Sequence, residues 1–372
     1  MGGTLLRTAL RRSLTRVHHV HPVRPASATG LVARVYRQVE RDFGMLAPPV
    51  ALHSPAPGPL AASWMMLRET LVADGAVDRA TKEAVATAVS LGNTCPYCVT
   101  VHSTALSGLT HGLVTVAEER VESVGDAGVL AVAAWARSGG TSESAVARPV
   151  PFPVEHAPEL VGVAATFHYL NRMVNVFLDD SPLPSGLPVA ARGGVLRVMG
   201  RFMGAHAGAT HPPGAALDLL PAASVPEDLS WTEGAPHVSG AFARAAAAIG
   251  AAGDRSVPVA VRDLVSAQVA GWNGHPRGPS RAWAEEATGE LPDRQRPAGR
   301  LALLTALASY QVDRAVVEAF RRVEPDDQVL VELTSWASMV AARRVAGWMR
   351  TDRHPPVHPA PGIRQHHRRS DR

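Results

Sequence analysis

Cysteine is nearly absent from this chain: 372 residues hold two, Cys95 and Cys98. A pair so close cannot be the disulfide framework of a secreted protein, and the loop it could close is too short to add much stability. Aromatic residues are scarce at 5% while alanine is abundant, which excludes architectures that lean on aromatic and β-branched side chains, such as sandwiches and barrels. The composition predicts an all-α fold. Lysine is reduced to Lys82 alone, so every other member of the 37 basic residues is Arg. The formal net charge is only +4, and the basic residues are spread along the chain, so a nucleic-acid partner is not expected despite a pI near 9.6. No apolar run approaches the roughly 18 residues of a membrane span and no signal-peptide core is present, which predicts a cytoplasmic protein with no membrane partner.

What is present is 46% hydrophobic content, ample for a sizeable core. The opening "MGGTLLRTALRRSLTRVHHVHPVRP" has no acidic residue before Glu40 and reads as a basic N-terminal arm or helix over 1–28, with a mitochondrial transit peptide as the alternative. Residues 29–180 read as the helical domain that carries the chemistry. A Pro/Gly-rich break over Asp180 to Gly194 opens a linker or loose segment spanning 181–236. A second helical domain follows over 237–350, and 351–372, rich in Pro, His and Arg, reads as a disordered tail in which His354, His358, His366 and His367 are solvated.

Within the first domain, Asp78 is a fit N-cap for a helix that carries Ala84, Val85, Ala88 and Leu91 inward and stops at Gly92. Pro96 fits the first position of the next helix, which makes Cys95 its N-cap and puts Cys98 in the first turn. Further helices are expected over Asp126 to Arg137 and Glu159 to Leu178. In the second half, "RLALLTALASYQVDRAVVEAF" and "DDQVLVELTSWASMVAARRVAGWM" are strongly helical. Laying the latter on the cysteine region pairs Thr94 with Thr334, Cys95 with Ser335, Cys98 with Ser338 and His102 with Ala342, a degenerate repeat without the cysteines.

The chemistry sits in "GNTCPYCVTVHST". A helix N-terminus favours the thiolate form of a cysteine, and Cys98 and His102, at i and i+4, share a face, so the imidazole is placed to accept the thiol proton. Three rival readings attach to the same residues. Zinc bound by Cys95, Cys98 and His102 lacks the fourth ligand of a structural site. An inert buried pair leaves the helix-start placement and the facing His unused. A thioredoxin-like site needs a βαβ setting that the helical surroundings do not offer. By spacing alone, Glu83 lies on a stripe with Thr87 and Ser90 and reads as a solvent-facing carboxylate.

Glu83, Cys95, Cys98 and His102, set in "KEAVATAVSLGNTCPYCVTVHSTAL", together resemble the carboxymuconolactone decarboxylase superfamily, specifically its alkyl hydroperoxidase D-like branch. The similarity covers roughly 29–178. It implies an all-α helical bundle, with room for two related units in tandem, a homo-oligomer, and reduction of organic hydroperoxides without metal or organic cofactor. By position, Cys98 would be the peroxidatic residue, Cys95 would donate a proton and close the disulfide, and Glu83 with His102 would form the proton relay, which overrides the surface reading of Glu83. An external dithiol would be the reductant. The family carries a His immediately before the second cysteine, where this chain has Tyr97, a hydrogen-bond donor with a pKa near 10 and hence a poor shuttle at neutral pH. The function expected is therefore a thiol-dependent peroxidase or disulfide oxidoreductase. The alternative is a redox-sensing or assembly protein of the same fold that does not turn over.

Overall fold

A computed structural model describes residues 16–350 apart from 113, 118–119, 124–125, 148–149 and 185. The expectations for residues 1–15 and for the tail over 351–372, His354, His358, His366 and His367 included, lie outside the described residues. Residues 16–28 lie against the body: Val20 is buried, the His18 N–H donates to the Phe177 carbonyl at 2.8 Å, and the His21 N–H donates to Asp327 at 2.7 Å.

Helices begin where local chemistry starts them. After α1 (Gly30–Asp42) and the short α2 (Pro48–Ala51), Pro57 opens α3 (Pro57–Leu67), which ends in a π-type turn over Arg68–Val72. Asp78 caps α4 (Arg79–Gly92) by accepting the Thr81 N–H at 2.9 Å. Cys95 is the N-cap of α5 (Pro96–Leu109), with Pro96 at its first position. The left-handed residue between these two helices is Thr94, at φ 51°, while Gly92 closes α4. An antiparallel hairpin that the sequence reading did not anticipate, β1 (Val114–Ala117) with β2 (Arg120–Ser123), leads to α6 (Ala127–Ser138), which Asp126 caps, and to α7 (Ser142–Ala147). The buried α8 (Ala157–Phe177) completes the first half. The fold is all-α, since this hairpin is the only sheet among the described residues.

The stretch read as loose contains a 19-residue helix, α9 (Val189–Ala207). Its four glycines depress helix propensity and disguise it in sequence, but one of them, Gly200, meets Gly108 of α5 and lets the two helices cross at backbone contact. A Cβ on Gly108 would strike the Gly200 carbonyl, and one on Gly200 would come within 2.8 Å of the Thr104 carbonyl. Gly200→Val is expected to lift α9 from α5 and to destabilise the chain by about 1–3 kcal/mol, read as a lower midpoint in urea and faster proteolysis within 189–207. An unchanged midpoint and digestion pattern would contradict the close crossing.

The second half comprises α10 (Pro236–Ser256), α11 (Val259–Ala270), α12 (Ala282–Ala287), α13 (Arg296–Ala308), α14 (Arg314–Arg321) and α15 (Asp327–Trp348). The segment read as strongly helical over 300–320 is helical in two pieces, the second capped by Asp313, which accepts the Val316 N–H. One continuous hydrophobic core runs through both halves.

The two halves repeat the same order of packing. In the first, α4 lies on α6 and α8; in the second, α11 lies on α13 and α15. Like then meets like across the middle, α3 against α10 and α8 against α15, as an internal twofold relation requires. This order of packing sets a different register for the repeat from the one that pairs Cys95 with Ser335. Because α15 is the counterpart of α8, Ser335 and Ser338 belong to a helix interior and have no relation to the cysteine turn. That turn, Asn93-Thr94-Cys95-Pro96, corresponds to Asn273-Gly274-His275-Pro276, and Gly274 holds at φ 94° the left-handed position that Thr94 holds in the first half. Cys95 thus becomes His275, Cys98 becomes Gly278, and Glu83 becomes the exposed Asp263.

Candidate active site

At the heart of the first half, α4 is covered by α5, α6 and α8, and every residue from Lys82 to Ser90 is buried. A central helix has no solvent face for an amphipathic stripe to mark, which is why Glu83, read from spacing as exposed, is in fact fully enclosed. Lys82, the only lysine, is buried too and pairs with Glu159 of α8 at 2.7 Å while donating to the Ala73 carbonyl at 3.0 Å.

Glu83 Oε2 accepts a hydrogen bond from His102 Nδ1 at 2.7 Å, and Oε1 lies 2.8 Å from the guanidinium of Arg79, one turn earlier on α4. Burial alone would push the Glu83 carboxyl up, but the charges of Arg79 and His102 and their hydrogen bonds outweigh it and hold the carboxyl below the ordinary glutamate range. The ionised carboxylate fixes the proton on Nδ1 of His102, leaving Nε2 as the basic nitrogen. Phe167 of α8 presses edge-to-face on the imidazole, with ring centroids 4.5 Å apart.

Both thiols are reduced and buried in the first turn of α5. Burial raises the Cys95 thiol well above the ordinary value, and its hydrogen bond to Cys98 and the negative charge arising there raise it further. Cys95 therefore keeps its proton at neutral pH. Asn171 of α8 hydrogen-bonds Cys95, donates to Ser90 Oγ at 3.1 Å and accepts from Asn93 at 2.9 Å, so one amide holds the turn that delivers the cysteines.

Cys98, Tyr97 and His102 line a cavity of about 90 Å³, and Cys95 is not among its walls. The rest of the lining is apolar: Met45 and Pro48 on one side, Phe167 and Leu170 on another, and Met199 and Met203 of α9 as a roof. Burial, with the two cysteines adjacent, raises the Tyr97 phenol above its ordinary value, so Tyr97 keeps its proton at neutral pH. Among the described residues no group of three or more His, Cys, Asp or Glu side chains converges as a metal site, Cys95, Cys98 and His102 included. No helix among them is long and apolar enough to cross a membrane.

The four residues singled out in sequence, with Tyr97, thus fall into one connected site. Sequence reasoning missed Arg79, although its i,i+4 spacing to Glu83 was a readable signal. It also missed Asn171 and the α9 roof, which only tertiary packing brings in.

Residues 58–138 match the carboxymuconolactone decarboxylase family. Over 335 residues, 90% of this chain and 95% of its relative, the chain is 37% identical to a Mycobacterium tuberculosis protein named alkyl hydroperoxide reductase.

Proposed function

Because the chain belongs to the carboxymuconolactone decarboxylase superfamily, in its alkyl hydroperoxidase D-like branch, we propose that it is a thiol-dependent peroxidase acting on organic hydroperoxides. The observation that carries this reading is the opening of Cys98 onto an apolar cavity that His102, oriented by Glu83, also lines.

His102 accepts the Cys98 proton, and the helix N-terminus stabilises the thiolate. The thiolate attacks the terminal oxygen of the hydroperoxide. The O–O bond breaks, the alkoxide leaves with a proton returned by His102, and Cys98 becomes a sulfenic acid. Cys95, still protonated, gives up its proton as its sulfur attacks the sulfenic sulfur, water departs and a disulfide forms. An external dithiol reduces that disulfide by two exchange steps and is itself oxidised. Glu83 keeps the imidazole in the productive tautomer and offsets its charge when protonated. We assign the chain to the cytoplasm as a homo-oligomer.

Steady-state consumption of tert-butyl hydroperoxide with a dithiol donor tests the reading, and oxidation that stops after one equivalent would instead favour a redox sensor. The apolar walls also set selectivity. The three methyl groups of the tert-butyl, at about 0.8 kcal/mol each when buried, predict a kcat/KM for tert-butyl hydroperoxide about 30-fold or more above that for hydrogen peroxide. Equal values would remove the substrate role of the cavity.

A further inference from the structure

A second cavity, of about 140 Å³, lies at the seam between the halves, where the Asn93 turn of the first faces Trp272 and Gly274 of the second. Its polar lining includes Arg172 and His168 of α8 together with Asn93, Arg137, Thr141 and Ser309. Arg172, 5% exposed, donates through Nε to the Ala306 carbonyl at 2.9 Å and through Nη1 to the His168 carbonyl at 2.5 Å, lies over the Trp272 ring 5.8 Å from its centroid, and pairs with no carboxylate among the described residues. His168, 4% exposed, has no hydrogen-bond partner on either ring nitrogen. Among the described residues no Asp or Glu lines the cavity. Burial lowers the Arg172 guanidinium only to about 10, so it is charged at neutral pH, while burial and the neighbouring Arg172 hold His168 well below its ordinary value, so the imidazole is neutral.

An enclosed cation with no counter-ion among the described residues, beside an imidazole with both nitrogens unpartnered among them, is half of a binding arrangement. We propose that this seam cavity binds a small organic carboxylate, held by the Arg172 guanidinium and by an N–H of His168. The planar guanidinium and imidazole donors suit a flat two-oxygen acceptor, and Trp272 and Leu307 offer apolar walls to a short carbon chain. Roughly seven non-hydrogen atoms fit such a volume, at about 20 Å³ per atom in a close-packed interior. The site uses neither cysteine, so it stands apart from the peroxidase reading.

Calorimetric titration of the full chain with propionate, with phosphate as the comparison anion, tests the proposal. The expected result is saturable binding of one propionate per chain, tighter than phosphate, equal in Cys98→Ser, and weakened tenfold or more in His168→Phe and in Arg172→Lys. Nitrogen-15 labelling of histidine in the unsubstituted chain gives a readout that does not depend on how the variants fold, since the His168 ring signal should move on adding propionate. Absence of saturable propionate binding, tighter binding of phosphate, a stationary His168 signal, or unaltered affinity in folded variants would each overturn it.

Discussion

Cys98→Ser is expected to abolish hydroperoxide reduction, lowering kcat/KM by about 10⁴-fold or more, the scale on which a covalent nucleophile is lost. Cys95→Ser should behave differently. The cavity reaches Cys98 and not Cys95, so the first oxidation should proceed in Cys95→Ser and stop at a sulfenic acid that dimedone traps. Both variants should remain folded, because serine is close to cysteine in volume and each site has polar neighbours. Mass spectrometry after one equivalent of peroxide checks the assignment. Dimedone on Cys95 in the Cys98 variant, with none on Cys98 in the Cys95 variant, would reverse the roles.

Glu83→Gln should be the next most damaging change. Glutamine can still accept from His102, but it cannot offset an imidazolium, and it leaves the largely buried Arg79 without its anion. Turnover is expected to fall by about 10²–10³-fold, within the range of general acid–base effects, and stability by about 2–4 kcal/mol, as when one partner of a buried pair is removed. The pH dependence follows from the direction of the Glu83 shift. Its folded value lies below the ordinary 4.5, so its contribution is complete above that pH and is lost as pH falls through the folded value. Urea midpoints measured from pH 7 down to pH 3 should therefore drop more steeply for the natural chain than for Glu83→Gln below pH 4.5. Parallel curves would show that the carboxylate is not held charged by its neighbours.

Much of this site was legible because capping is local chemistry. Asp78, Pro96 and Cys95 announced where α4 and α5 begin, and the reach from Cys98 to His102 is fixed by helix geometry. What was not legible depended on packing. Glu83 looked exposed because the stripe argument presumes a surface helix, and α4 has none of its faces in water. Helix α9 looked like a linker because the glycines that permit its crossing of α5 are the residues that sequence reading takes for breaks. The register set by the packing is hard to read in sequence because the two turns share only Asn and Pro, with His275 and Gly278 at the places of Cys95 and Cys98. With the chemistry gone, a helix rich in small residues, α15, offered a better apparent match. Asn171 gave no local signal, since its partners on Ser90, Asn93 and Cys95 meet it only through the fold.

Helix α8 is a party wall. Phe167 and Leu170 face the chamber of Cys98, whereas His168 and Arg172, on the adjoining flank of the same turns, face the chamber at the seam. One closely packed helix thus borders both chambers, and the same backbone turns set the walls of each. If the seam chamber takes the carboxylate proposed for it, any effect of that ligand on hydroperoxide binding in the Cys98 chamber is returned in equal measure, by the reciprocity of linked equilibria.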